Sequence, residues 1–567
     1  MSFADAATRF QRGDSAGAEA MLRDLLAREP THVDALHLSA VIRHTRGDLA
    51  GAADLFEDAF RLAPQDVAIA FNRAAVLAAL KRHQDCAAAA ADVLRLRPGD
   101  QEALLLQGAS LSALGEHGRA LEVLDSVTLD RAALHTHRAT SLLALHRNEE
   151  ALQASHRAVS LAPSDPDARY LRGSALLALD RGAEALSDFE TALAVAPGNI
   201  AARAGRASAL CAIERLEEAL GEVDAVLAAA PERSDYHALR GVVLSALNRE
   251  EEAVAAFARS LGLRPDDGET QFALADALLA QGDFEHGLPA YEARFLSRTT
   301  RAPLPCDAPL WAGEDLRGKT LLLQGEQGSG DLFQFCRFAP MLASRGARII
   351  LQERRQTLRL LRSLAGVDQL VSADEPAPTV DFRLPLASAM FALGVRADAI
   401  PAPIPYLIAE QERVAHWRTR LNPAKRRIGI VWSGSRLQSR QRLRSLGDAA
   451  LAQLIGADES FVSLQVEAHP ALAARGVQQF GDQILDFAET AALIEALDLV
   501  ISIDTGIAHL AGALGKPVWI MLPFRADWRW QRERADTPWY PQARLFRQSM
   551  PGDWAGVVAR VHAALQE

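Results

Sequence analysis

Asp504, Thr505, Gly506 and His509 have the residue types and the spacing of a turn that binds a phosphate. Thr505 offers a hydroxyl, Gly506 has no side chain to block a ligand, and His509 follows within one helical turn. A phosphate there would meet backbone N–H groups and the positive end of a helix dipole. The alternative is a well-capped turn whose histidine is satisfied by other protein groups.

A strand and a helix must position these residues, and the flanking sequence LDLVISIDTGIAHLAGALGKPVWIMLP predicts both. Leu499 to Ile503 is a short apolar run with β-branched residues, which is typical of a buried parallel strand. Ile507 to Leu514 has a helical pattern that Gly515 ends, and Val518 to Leu522 predicts the next strand. The turn therefore lies where a strand ends and a helix begins, and unpaired N–H groups collect there.

A second loop that could do chemistry is GEQGSGD, which ends at Asp331 and follows a predicted strand. It has the GxxxxG spacing of a P-loop, but Asp331 stands where the lysine should be, and no serine or threonine follows. It also lacks the GxGxxG spacing of a dinucleotide-binding fold. The Asp331 carboxylate could accept a proton from a hydroxyl, or it could simply cap the next helix. Further candidates in this loop, for contact with an acceptor, are Glu326, Gly328 and Gly330.

The segment VWSGSRLQSRQRLRS, residues 431–445, is the strongest basic cluster of the chain. Arginine presents its donors in a fixed fork that suits phosphate or carboxylate oxygens. Such a cluster could stabilise the charge of a leaving nucleotide without a metal, or it could be a solvated charged loop. The candidate nucleotide-sugar-binding residues of this segment are Trp432, Arg436, Arg440, Arg442 and Arg444.

The motif DTGIAHLAGALGKP resembles the donor-site signature of GT-B glycosyltransferases in the ADP-heptose:lipopolysaccharide heptosyltransferase superfamily, or glycosyltransferase family 9. The resemblance implies that the Asp504–Gly506 turn and His509 hold the phosphates of a nucleotide sugar. It also implies that Asp331 is the catalytic base, with Glu326 a weaker candidate. No carboxylate pair with DxD spacing occurs at these turns. We therefore expect catalysis without a metal and without a cofactor other than the nucleotide-sugar substrate.

The first half of the chain is a repeat array. Prolines recur with gaps of 34, 34, 65, 34, 34 and 34 residues, at Pro30, Pro64, Pro98, Pro163, Pro197, Pro231 and Pro265. The long gap is two units, one of them shortened by three residues. A 34-residue period is the tetratricopeptide signature, and it predicts about nine helical pairs over residues 1–296. Such an α solenoid has a concave groove that suits a protein partner.

The second half alternates predicted strands and helices, which predicts an α/β region with parallel, Rossmann-like sheets. Residues 297–318 are rich in proline and are interpreted as a linker. We predict a GT-B N-terminal lobe over 319–410, on the acceptor side. A C-terminal lobe over 411–567 is predicted on the nucleotide-sugar side.

Composition excludes several classes of protein. The net charge of −11 disfavours bulk nucleic-acid binding, and four scattered cysteines indicate neither a zinc site nor a disulfide framework. The amino terminus lacks the pattern of a signal peptide, and no apolar run is long enough to span a membrane. We expect a cytoplasmic protein.

The layout as a whole resembles bacterial tetratricopeptide glycosyltransferases, some of which are known as flagellin glycosyltransferases. The resemblance implies an O-glycosyltransferase that modifies Ser or Thr of a protein recruited by the repeats, with flagellin as the first choice. A nonulosonic acid carried by CMP is one donor that this layout suggests. Two alternatives stay open: a glycosyltransferase of lipopolysaccharide or surface-polysaccharide assembly, and an adaptor whose GT-B domain is inactive.

Overall fold

A computed structural model describes residues 2–297, 304–326, 328–400, 403–423, 425–434, 444–456 and 458–567. The chain divides into two compact units, Met1–Glu222 and Val223–Glu567. The first unit is purely helical, and the second contains the last helices of the repeat array together with two parallel sheets. Among the described residues, no helix is both long and apolar enough to span a bilayer.

The repeat array consists, within the described residues, of eighteen helices in nine antiparallel pairs. They are α1 Phe3–Gln11, α2 Ser15–Arg28, α3 Val33–Thr45, α4 Leu49–Leu62, α5 Val67–Ala79, α6 His83–Leu96, α7 Gln101–Ala113, α8 His117–Leu124, α9 Ala132–Ala144, α10 Asn148–Leu161, α11 Pro166–Ala178, α12 Gly182–Val195, α13 Ile200–Ala212, α14 Leu216–Ala229, α15 Ser234–Ala246, α16 Glu250–Leu263, α17 Gly268–Ala280 and α18 Phe284–Tyr291. The predicted tetratricopeptide solenoid is confirmed.

The turn between the two helices of each pair contains one residue with positive φ. These residues are Gly13, Gly47, Lys81, Gly115, His146, Asp180, Glu214, Asn248 and Gly282. Their spacing is 34 residues throughout, except for 31 residues between Gly115 and His146. The shortened unit predicted from the prolines therefore lies between Gly115 and His146, and its second helix, α8, has only 8 residues.

Small residues let the paired helices approach each other. A Cβ added to Gly173 would lie 2.9 Å from the ring of Phe189, and one added to Gly241 would lie 2.5 Å from the ring of Phe257. Both rings are buried, as is Phe56 at the equivalent position of an earlier repeat. In these repeats, a small residue of the first helix thus packs against an aromatic ring of the second.

The first sheet of the second unit has four parallel strands in the order β3-β2-β1-β4. Its strands are β1 Thr320–Gln324, β2 Arg348–Glu353, β3 Gln369–Ser372 and β4 Phe382–Pro385. The helices of this part are α19 Ser329–Phe335, α20 Ala339–Ser344, α21 Arg355–Leu361 and α22 Ala389–Ala392. Parallel strands must be buried on both faces, which explains the apolar run Leu321 to Leu323 at the centre of the sheet.

The second sheet has six parallel strands in the order β10-β9-β8-β5-β6-β7. Its strands are β5 Arg427–Val431, β6 Ser460–Ser463, β7 Gln478–Gln479, β8 Leu499–Ile503, β9 Val518–Leu522 and β10 Ala543–Arg547. The described helices are α23 Gln411–Arg420, α24 Asp448–Leu454, α25 Pro470–Ala473, α26 Phe487–Glu495, α27 Gly506–Ala513 and α28 Trp554–Gln566. The terminal helix α28 packs on this sheet, since Val557 and Val561 share a buried cluster with Ile430 and Ile501.

The last repeat belongs to the core of the second unit. Phe284 and Tyr291 of α18 are buried, and their rings lie 6.0 and 5.7 Å from the ring of Trp528. The compact unit therefore begins at Val223, inside the repeats, although the repeat pattern itself continues to about residue 296. The domain boundaries inferred from the sequence remain predictions.

Candidate active site

The two loops singled out in the sequence meet in the structure. Helix α19 begins just after Gly328, helix α27 begins just after Thr505, and their amino ends lie against each other. A Cβ on Gly330 would lie 3.1 Å from Cδ2 of His509, and a Cβ on Gly506 would lie 3.2 Å from the backbone nitrogen of Gly330. Both positions are too close for any larger residue without displacement, so glycine is what permits this approach.

Asp331 is held at this junction by an arginine that the sequence analysis did not select. Arg529 donates from Nη2 to Oδ1 of Asp331 at 2.7 Å, and from Nη1 to Oδ1 of Asp527 at 2.9 Å. Its Nε donates to Oε1 of Gln334 at 2.7 Å. Burial raises the pKa of Asp331, while Arg529 and a hydrogen bond from the backbone of Gly328 act in the opposite direction. Asp331 thus lies in the first turn of its helix and faces a cation.

His509 is buried and neutral. Its ring stacks on Trp530, with centroids 5.0 Å apart and planes inclined by 22°. Nδ1 lies 2.9 Å from the hydroxyl oxygen of Tyr540. Burial, together with the nearby charge of Arg529, lowers the pKa of His509 to about 3. His509 can therefore offer a ligand a hydrogen bond but no positive charge at neutral pH.

Asp504 and Thr505 form the turn before α27. The buried Asp504 carboxylate lies 3.2 Å from Nη2 of Arg444, and burial raises its pKa while Arg444 opposes that rise. The Thr505 hydroxyl lies 3.0 Å from that of Ser502 and accepts no hydrogen bond from the first N–H groups of α27. The Thr505 side chain therefore leaves the first N–H groups of α27 without a side-chain cap, while His509 has a protein partner in Tyr540.

Glu326 occupies a different environment from Asp331. Its Oε1 accepts from Nη2 of Arg294 at 2.8 Å, and its Oε2 accepts from the backbone N–H of Ala387 at 2.9 Å. Burial raises the pKa of Glu326, with Arg294 acting in the opposite direction. Both carboxylate oxygens are engaged, so Glu326 fixes the loop rather than facing an open site.

The basic segment is only partly within the described residues. Arg436, Arg440 and Arg442 lie outside them. Trp432 points into the buried cluster of the second sheet, where its ring meets that of His469 edge-on at 5.6 Å. The same loop does reach the candidate site at Gly434, since a Cβ there would lie 3.9 Å from the methyl group of Thr505.

The aromatic residues after β9 pack the protein interior. Trp528, Trp530, Trp539 and Tyr540 are all at least 96% buried. The burial of these rings favours internal packing over stacking on a base or sugar. Asp527 and Arg529, which lie in the same segment, were not selected in the sequence analysis. An alternation of acidic and basic residues, RADWRWQRERAD, was the available signal.

Comparisons with known proteins agree with both halves of this description. Models described as tetratricopeptide repeat match residues 4–67, 46–100, 137–200, 176–242 and 234–267. The model of glycosyltransferase family 9 (heptosyltransferase) matches residues 484–521, which include the Asp504 turn and His509. The chain is a tetratricopeptide protein with a family 9-like region.

One curated relative is Protein FlbA of Caulobacter vibrioides. It is 30% identical over 348 residues, which cover 55% of this chain and 57% of FlbA. The chain thus spans little more than half the length of that relative.

Similar solved structures include the APC/C hetero-tetramer Cut9-Hcn1, with 15% identity, a TM-score of 0.37, and coverage of 48% of this chain and 55% of that one. The tetratricopeptide protein TTC0263 of Thermus thermophilus has 26% identity, a TM-score of 0.28, and coverage of 30% and 91%. TM-scores this low do not support a conclusion about function from these structures.

Proposed function

We propose that this protein is a glycosyltransferase that moves a sugar from a nucleotide-sugar donor to a hydroxyl group of a protein acceptor. The observation that carries the proposal is the meeting of the Asp331 loop with the Asp504–Gly506 turn, because transfer needs a base and a phosphate site a few ångströms apart. The family 9 match over the second of these elements supports the same reaction class.

The donor half of the proposal uses the amino end of α27. The phosphates of the donor lie against the N–H groups of Gly506 and its neighbours, with Thr505 and the neutral His509 as further hydrogen-bond partners. Arg444, beside Asp504, supplies positive charge for the leaving nucleotide. With a helix terminus and an arginine in these roles, the leaving group needs no metal ion, and two facing lobes of the GT-B type would enclose the donor.

The acceptor half uses Asp331. The acceptor oxygen attacks the anomeric carbon of the sugar, its proton passes to the Asp331 carboxylate, and the bond from the sugar to phosphate breaks. A base works best when its pKa approaches the working pH, and burial already raises the pKa of Asp331. The ion pair with Arg529 holds the carboxylate in place and keeps it ionised before the acceptor arrives.

The acceptor is proposed to be a protein recruited by the tetratricopeptide groove, with flagellin as first choice and a CMP-linked nonulosonic acid among the donors to test. A solenoid of nine helical pairs offers far more surface than a small acceptor needs. The FlbA match and the repeat models support the layout from which this assignment comes.

The test is reconstitution with the full chain. Purified protein is incubated with a panel of nucleotide sugars and flagellin, and the acceptor is weighed by intact-protein mass spectrometry. A mass increase of one sugar that disappears with Asp331→Asn supports the proposal. Transfer to a lipid or oligosaccharide acceptor alone would favour surface-polysaccharide assembly. Nucleotide binding without any transfer would favour the inactive adaptor.

A further inference from the structure

The last repeat places a carboxylate beside the candidate active site. Asp276 lies in α17, one helical turn after Phe272, whose ring packs on Tyr291 at 5.5 Å. One turn further on, Ala280 belongs to the same buried cluster as Trp528. Asp276 therefore lies on the face of α17 that meets the segment around Trp528.

Several charged groups of this segment lie within electrostatic range of Asp276. They are Asp527 and three arginines, Arg525, Arg529 and Arg532, and the phenol of Tyr291 also lies within electrostatic range of Asp276. Arg529 is the residue that binds Asp331. Asp276 and Asp331 are thus two carboxylates, one from the repeats and one from the α/β region, that act on the same guanidinium group.

The repeats also fix the position of the segment from residue 524 to residue 532. Asn248 donates from Nδ2 to the carbonyl oxygen of Phe524 at 3.0 Å. Arg532 donates from Nε to the buried Glu250 of α16 at 2.7 Å. Trp530 of this segment carries the ring on which His509 stacks. In this junction, residues of the repeats hold a segment that contacts both Asp331 and His509.

Within this junction, Asp276 differs from the other acidic groups. Glu250, Asp331 and Asp527 each have an arginine partner. Asp276, although half-buried, has neither a hydrogen-bond nor an ion-pair partner in the described part of the chain. Burial and the charge of Asp527 together raise the pKa of Asp276 to about 7, although the three arginines oppose that rise. A half-buried carboxylate without a partner costs stability, and a ligand that donates a hydrogen bond would supply that partner.

We propose that Asp276 is a substrate-contacting residue of this active site, where its carboxylate accepts a hydrogen bond from the acceptor hydroxyl and positions it beside Asp331. This inference rests on the proposed glycosyl transfer and extends it, because it assigns a residue of the repeat array to the reacting centre. The acceptor would then be oriented by two carboxylates, of which Asp331 takes the proton and Asp276 keeps the hydroxyl in place.

The experiment compares Asp276→Ala and Asp276→Asn with the wild type in the full chain. Loss of a hydrogen bond to a charged group lowers kcat/KM for the acceptor by about 10- to 100-fold, so we expect a loss of that size for Ala. Asn can still accept a hydrogen bond, so we expect it to restore part of that activity. The donor Kd from calorimetry should be unchanged in both variants. The matched control is Asp266→Ala, at an exposed aspartate before the same helix.

The pH profile and the melting temperature separate contact with substrate from a structural role. In the wild type, acceptor KM should rise as the pH falls through about 7, the pKa of Asp276, and this dependence should vanish in the Asn variant. Removal of an unpaired carboxylate should leave the melting temperature equal or higher.

Two outcomes would overturn the inference. Unchanged acceptor kcat/KM in the Ala variant would show that Asp276 does not touch the acceptor. A parallel loss of donor affinity and melting temperature would show a structural role. A wild-type protein that transfers no sugar would instead refute the proposed function, and the role of Asp276 with it.

Discussion

Arg294→Met tests how the repeat array holds the loop that carries Asp331. Arg294 is 1% exposed in the short 3-10 turn that follows α18, and its guanidinium donates to Glu326 at 2.8 Å, to Glu292 at 2.6 Å and to the Ser388 hydroxyl at 2.6 Å. Methionine has a similar length and keeps the apolar contacts of the arginine stem. The substitution therefore removes the positive charge. It leaves the Glu326 carboxylate, whose side chain is only 4% exposed, buried without a cation partner.

The expected cost is about 3–5 kcal/mol at neutral pH, the usual effect of removing one partner from a buried ion pair. Burial already raises the pKa of Glu326, and Arg294 limits that rise. Without Arg294 the folded-state pKa of Glu326 rises further above its unfolded value. A carboxyl group whose pKa is higher in the folded state than in the unfolded state stabilises the folded state at low pH. That stabilisation is lost as the pH increases. The variant should therefore be least stable relative to wild type near pH 8, and closer to it near pH 5.

Urea unfolding followed by tryptophan fluorescence measures this cost directly. All eight tryptophans lie between residues 311 and 554, so the signal reports the second compact unit alone. With a urea dependence of about 3 kcal/mol per M, the midpoint should fall by about 1 M or more. The matched control is Glu326→Gln, which should lose only about 1–3 kcal/mol, because Arg294 keeps Glu292 and Ser388.

Two results would refute this reasoning. A midpoint for Arg294→Met within about 0.3 M of the wild type, equivalent to about 1 kcal/mol, would show that the ion pair does not hold the loop. An equal loss at pH 5 and pH 8 would show that the uncompensated charge of Glu326 is not the cause. Sugar transfer should survive in folded Glu326→Gln, because Glu326 positions the loop and does not take the proton.

Three further predictions concern the reaction itself. The double variant Thr505→Val with His509→Ala should bind nucleotide more weakly in calorimetry, because it loses a hydroxyl and a ring nitrogen at the helix terminus; equal affinity would remove the phosphate site. Asp331→Asn should lower transfer by about 100-fold or more with donor binding retained, and a wild-type rate would leave Asp331 as a helix cap only. Activity should persist in EDTA, and its loss with recovery on adding magnesium or manganese would contradict metal-free transfer.

The repeat array and the strands could be predicted because their signals are local. A 34-residue period and small residues at fixed positions specify helical pairs, although five of the nine left-handed turn residues are not glycine, including Lys81 and Glu214. The apolar runs Leu499–Ile503 and Val518–Leu522 were predicted with the bounds that β8 and β9 have in the structure. Both signals depend on neighbouring residues, which the sequence displays directly.

The charged part of the site could not be predicted, because its contacts are set by tertiary structure. Arg529 and Asp331 are 198 residues apart, and Arg532 and Glu250 are 282 residues apart. No local spacing relates such pairs. The sequence did identify Asp331 and the Thr505 turn, because each lies at the end of a predicted strand, but it gave no reason to bring in Asp276 from a repeat.

The burial of α18 limits which repeats can be exchanged between proteins of this architecture. A free solenoid usually ends in a capping helix with a polar outer face, whereas here Phe284, Leu288 and Tyr291 are buried in the core that contains Trp528. The final repeats thus share a core with the α/β region, and the two would have to be exchanged together in any recombinant protein. Repeats before Glu222 belong to a separate compact unit. Chimeras joined near that residue, and not near residue 297, are the ones that would exchange repeats and keep the second compact unit intact.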